Sequence, residues 1–192
     1  MLRRLYDWVL SLAGHRHALW FLAVISFAES SVFPIPPHPL LLLMVIARPE
    51  RWLLLGAVTS VASVLGGIAG YALGAFLFET VGQPVLEAYG WLSRFDEVAE
   101  LFRENGIWAV LAGGATPLPY KVVTIASGAV SLDFTLFTLA SIASRGGVFM
   151  VIAGLVRIFG PPVKAFIEKR LALMTTIFVV LLFAGFLLIR YL

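Results

Sequence analysis

Residues 52 to 78, WLLLGAVTSVASVLGGIAGYALGAFLF, carry no charged side chain. A run this long and apolar exceeds the roughly 20 residues that take a helix across a bilayer. In hydrocarbon every backbone N–H and C=O must be bonded within the protein, which leaves helix or closed barrel as the only spanning forms. An unbroken apolar run favours helix over the alternating pattern of a barrel strand. The rest of the chain agrees. It is 60% hydrophobic and 13% charged, with a mean hydropathy of +0.97, whereas soluble domains are about 25% charged. The 192 residues therefore read as one all-α integral membrane domain.

Composition also excludes chemistries. With no cysteine, disulfides, thiolate catalysis and cysteine-held metals are ruled out. The three histidines make a poor metal set, and no P-loop, HExxH or G-x-S-x-G motif occurs. Neither an enzyme nor a cofactor is expected. The formal charge of +3 is too small to argue for nucleic acid. A cleavable signal peptide is not expected, because Asp7 interrupts the apolar start.

Two other apolar segments are broken by proline. Residues 18 to 47 contain PIPPHP, with Pro34, Pro36, Pro37 and Pro39 around His38. Residues 107 to 132 contain TPLPYK, with Pro117 and Pro119 before Tyr120 and Lys121. Proline removes a donor and pushes the preceding residue out of the helical region, so each break is expected to be an extended tip between two half-length helices. Pro34-Ile35-Pro36 matches Pro117-Leu118-Pro119, and a long span with a glycine pair follows each, Gly66-Gly67 and Gly146-Gly147. With one full crossing between them, the two tips enter from opposite sides. The expected architecture is two inverted re-entrant helical hairpins, about three transmembrane helices and amphipathic interfacial helices.

The remaining segments complete this plan. Residues 1 to 15 read as an amphipathic helix, with the first hairpin and span over 18–78. An external interfacial segment covers 79–106, where Ser93 is expected to cap a helix that Asn105-Gly106 ends. The second hairpin and span cover 107–159, with a plain C-terminal span at 171–189. This topology gathers Arg3, Arg4, Arg16, Arg48, Arg51, Arg157, Lys164, Lys169 and Arg170 on one side, so the N-terminus is expected to be cytoplasmic.

Irregular backbone at membrane depth persists only inside protein or facing water. Near the two tips lie Glu29, His38, Lys121 and Arg145. A charge at mid-bilayer costs roughly 2.5–3.5 kcal/mol on insertion scales, so Glu29 is expected to pair with Arg145 or Lys121. Each residue has a plain alternative: Glu29 and Arg145 as a structural lock, Lys121 reaching for an interface, His38 capping tip carbonyls, and the prolines as architecture alone. The small-residue stripe Gly66, Gly70 and Gly74 reads as helix packing.

FAESSVFPIPP, TPLPYKVVTIASG and SRGG, in this order over almost the whole chain, resemble the bacterial DedA family of the VTT (SNARE-associated Golgi protein) superfamily. The resemblance implies an inner-membrane protein with two opposed re-entrant hairpins. It also implies movement of lipid across the bilayer, undecaprenyl phosphate or a phospholipid, with protons as a coupling ion. Glu29 matches the family's acid before the first tip. His38 stands where a second acid is usual, and Gly114 and Tyr120 stand where arginines are common, leaving Lys121 as the nearby cation. The expected partner is an anionic lipid head group, and homo-oligomer formation stays open. Three rivals share the same residues: a passive phospholipid scramblase, a small-ion antiporter and a non-transport membrane scaffold.

Overall fold

A computed structural model describes residues 17–33, 36–88, 90, 92–115, 120–160 and 162. The amphipathic segment at 1–15, the C-terminal span at 171–189, and Pro34, Pro117 and Pro119 lie outside the described residues. Among the described residues the fold is all-helical.

The first half opens with α1, Ala18–Ser31, followed by α2, His38–Ala47. At 1.5 Å per residue these span roughly 21 and 15 Å, each short of the ~30 Å hydrocarbon layer. A 3-10 turn, Pro49–Arg51, leads into α3, Trp52–Leu77, which runs on through a π turn, Phe78–Gly82. The second half repeats the order. After α4, Gln83–Ala88, comes α5, Leu92–Ala115, then the ten-residue α6, Tyr120–Ala129, and α7, Phe134–Ser141. α7 passes through a π turn, Ile142–Gly146, and stays helical to 160. Two continuous helices, Pro49–Gly82 and Phe134–Gly160, are long and apolar enough to cross a bilayer.

The structure corrects two local readings and bears out a third. The proline-rich break is shorter than an extended PIPPHP tip. Pro37 already has helical torsions as the N-cap of α2, and His38 and Pro39 lie in its first turn. First-turn residues need no N–H donor, so proline is tolerated there. Asn105-Gly106 ends a helix as its residues suggest: α5 is two helices that meet at a kink, where Asn105 leaves helical torsions at φ −124°, ψ 18°. Ser93 lies inside α5, after Leu92, and is not its cap. A cap the sequence reading passed over is Asp133, whose Oδ1 accepts the Leu136 N–H at 2.8 Å.

Large apolar side chains face outward while several hydroxyls are buried among the apolar core. Trp20, Phe76 and Trp108 are 72%, 81% and 71% exposed, while Ser26, Ser30, Thr59, Ser63, Thr124, Ser127 and Ser141 are at 0%. Water would select the reverse, whereas a bilayer selects small and hydroxyl-bearing residues at helix contacts and large apolar ones outside. α3 is the hub, packed against both α1 and α6. Gly66 sits so close to the Phe27 carbonyl of α1 that a Cβ would overlap it, and Gly128 of α6 stands in the same relation to the Tyr71 carbonyl of α3. The turn after α6 is pinned by Tyr71 Oη, which donates to the Leu132 carbonyl.

Two apolar clusters flank the centre. One gathers α1, α2, α3 and the end of the last helix around Leu22, Leu41, Val45 and Phe149. The other gathers α5, α6 and α7 around Val110, Tyr120 and Phe137.

Candidate functional site

Between these clusters lies a buried ionic centre. Arg145, on the π turn of the second long helix, is 4% exposed. Its Nη2 donates to Glu29 Oε2 at 2.5 Å, and the two residues stand 116 positions apart, one in each half. Its Nε donates to Ser63 Oγ of α3 at 2.7 Å. Ser63 and Ser30 hydroxyls lie 2.7 Å apart, and Ser30 Oγ donates to Glu29 Oε2 at 3.1 Å. The carboxylate, the guanidinium and two hydroxyls thus form a closed polar ring drawn from α1, α3 and the long second-half helix. A buried pair survives only with such supplementary bonds, because the attraction alone rarely offsets desolvation of both ions.

Two aromatic rings complete the enclosure. The Arg145 Cζ lies 4.8 Å from the Tyr120 ring centroid and 4.7 Å from that of Phe149. Arginine suits this position because its planar cation stacks on ring faces while its edge donates hydrogen bonds. Tyr120 is held in turn by its hydroxyl, 2.6 Å from Ser141 Oγ. The π turn adds one residue to the helical repeat and rotates Arg145 relative to the turn before it. Such bulges recur at functional sites.

Of the residues singled out from sequence, Glu29, Arg145 and Tyr120 come together here. Lys121 does not reach the carboxylate. Its Nζ donates instead to the Val32 carbonyl at 3.3 Å, just past the C-terminus of α1, where helix carbonyls lack intrahelical partners and a cation is favoured. His38 is the first residue of α2, and its ring lies 5.2 Å from that of Phe149. Phe149 therefore touches both His38 and Arg145. Pro37 is buried and Pro36 exposed, and neither contacts the ion pair by hydrogen bond. One turn before Ser30, the Ser26 hydroxyl is buried without a hydrogen-bond partner among the described residues, so the polar track on α1 extends beyond the ring.

Sequence reasoning missed Ser30, Ser63, Ser141 and Phe149. The available signal was hydroxyl periodicity: Ser26 and Ser30 fall one turn apart on α1, and Thr59 and Ser63 one turn apart on α3. Serines in apolar helices also arise from ordinary close packing, so spacing alone does not single these out.

The VTT domain profile matches residues 35–158. An uncharacterized protein of Haemophilus influenzae is 30% identical over 167 residues, covering 87% of this chain and 86% of that protein. The "Uncharacterized protein HI0703 homolog" of Histophilus somni is 30% identical over 151 residues, 79% of this chain and 78% of its own length. No solved structure matches. With two helices of spanning length and large apolar side chains such as Trp20, Phe76 and Trp108 facing outward, these matches point to a membrane protein, and the chain belongs to the VTT-domain (DedA) family.

Proposed function

We propose that this protein moves an anionic lipid across the bacterial inner membrane, with the Glu29–Arg145 pair as its switch. The observation that supports this most is the position of the pair: a carboxylate from a half-length helix of the first half meets a guanidinium on the long helix of the second. In this reading α1–α2 and the end of α5 with α6 are re-entrant hairpins from opposite faces, since α1, α2 and α6 are each too short to span. Repeats so arranged place substrate and coupling sites near the midplane, where they meet. Ionisable residues within membrane segments are costly and most often functional. When a proton neutralises Glu29, Arg145 loses its charge partner and its fork becomes available to a phosphate oxygen. Re-formation of the pair returns the phosphate. The lipid tail stays in the bilayer, so a groove suffices and no closed tunnel is required.

Purified protein in liposomes carrying a headgroup-labelled anionic phospholipid tests the proposal, with leaflet exchange read by a membrane-impermeant quencher across a pH series. Wild type is expected to move the label in a pH-dependent manner. Glu29→Gln, a fixed neutral mimic, is expected to lose that dependence. Movement that is equally fast at every pH and unaffected by Glu29→Gln would favour a passive scramblase. One feature favours the scaffold reading: Ser30, Ser63, Tyr120 and Phe149 already satisfy both charges. Under it, Glu29→Gln and Arg145→Ala weaken the fold and no lipid moves even with wild type.

A further inference from the structure

A groove of about 530 Å3 runs between the C-terminal end of α1 and the second half of α3. Phe27, Val32, Ala69, Leu73 and Phe76 form most of its wall. Ser31 also lines it, but its hydroxyl turns back to the Phe27 and Ala28 carbonyls at 3.0 and 3.2 Å, so the wall offers no free polar group there. The volume falls within the roughly 300–1,000 Å3 of pockets that hold small ligands. Its walls are open on one side, with Val32 54% and Phe76 81% exposed. At the Val32 end stands a cation: Lys121 Nζ bonds the carbonyl of the very residue whose side chain lines the groove. An ammonium carries three donors, so a bond to one carbonyl leaves capacity for an anionic oxygen. No carboxylate lines the groove.

We propose that this groove holds one acyl chain of an anionic phospholipid whose phosphate rests on Lys121. The assignment builds on the translocation reading above and gives the lipid an entry position distinct from the closed Arg145 ring. An apolar slot with a cation at one end complements an amphiphile with a negative head. A zwitterionic lipid would fill the slot but bring its own ammonium into competition with the lysine, and a free phosphate would use the lysine without the slot. Lys121 also belongs to α6, which packs against α3 and sends Thr124 Oγ1 to the Ser30 carbonyl at 3.3 Å. Thr124, about one turn along α6 from Lys121, thus bonds the backbone of Ser30, whose hydroxyl belongs to the ring that holds Glu29.

Photo-crosslinking tests this without depending on transport. The full chain is placed in phosphatidylcholine nanodiscs with a trace of phosphatidylglycerol or of phosphatidylcholine bearing a diazirine on one acyl chain, and adducts are mapped by mass spectrometry. The phosphatidylglycerol probe is expected to mark the segments around Phe27–Val32 and Leu73–Phe76, over the phosphatidylcholine probe by about five-fold, the preference one basic side chain confers toward an anionic headgroup. Lys121→Gln keeps a donor for the Val32 carbonyl and is expected to abolish the preference, while Lys121→Arg keeps it. Ala72→Trp, which fills the slot, is expected to lower marking by both probes. Equal marking of outward faces such as Leu139 and Ile158, or a preference unchanged in Lys121→Gln, overturns the site. Localised marking in a protein that moves no lipid overturns translocation and leaves the site standing.

Discussion

The two halves of this chain share a plan and differ where it matters. Each runs helix, proline break, ten-residue helix and long apolar helix with a glycine pair, and the helix before the break is 14 residues in the first half and a kinked 24 in the second. In the first half the glycine pair is packing: Gly66 meets the Phe27 carbonyl and Gly67 the Tyr120 ring. In the second half a Cβ at Gly146 or Gly147 would meet nothing within 4 Å, and Gly146 closes the π turn that carries Arg145 while Gly147 caps it. The first half contributes the acid on its short helix, and the second contributes the base on its long one. A repeated backbone thus carries different work in each copy. One glycine pair sets how closely helices approach, and the other lies beside the buried cation in open space.

Substitutions can break that contrast or refine it. The largest loss is expected from Arg145→Ala. It leaves the Glu29 carboxylate without its counter-ion, which costs about 3–5 kcal/mol for a buried pair, and thermal unfolding in nanodiscs would read this as a marked fall in Tm. Gly66→Ala should follow, since the atom its Cβ would overlap is backbone and cannot swing aside. Overpacking of that kind costs about 1–3 kcal/mol. Tyr120→Phe keeps the ring over Arg145 and loses only the bond to Ser141, a change of about 0.5–1.5 kcal/mol. Gly146→Ala should be the mildest, within about 0.5 kcal/mol, as expected for a site without constrained contacts. The comparison between the halves fails if Gly146→Ala destabilises as much as Gly66→Ala in the same unfolding assay.

Much of this organisation was legible in the sequence. Two long apolar runs, two proline breaks and a carboxylate in a greasy segment were enough to expect broken helices and a partner for Glu29, and Arg145 proved to be that partner. The details that escaped are ones where tertiary packing overrides a local signal. Pro37 and Pro39 read as helix breakers, but at a first turn their missing donors cost nothing. The π turn at Arg145 has no pattern of its own in SIASRGG. Ser63 looks like any small residue of a close-packed helix until the fold brings Ser30 and Arg145 to it.

The direct test of the central claim, that Glu29 and Arg145 act as one unit joining the halves, is a double-mutant cycle in unfolding free energy with Glu29→Gln, Arg145→Gln and the double variant in nanodiscs. Each single change should destabilise strongly, and the double should cost clearly less than their sum, because neither charge is then left alone. Additive losses would mean that the two side chains contribute independently, and would contradict a shared ionic switch.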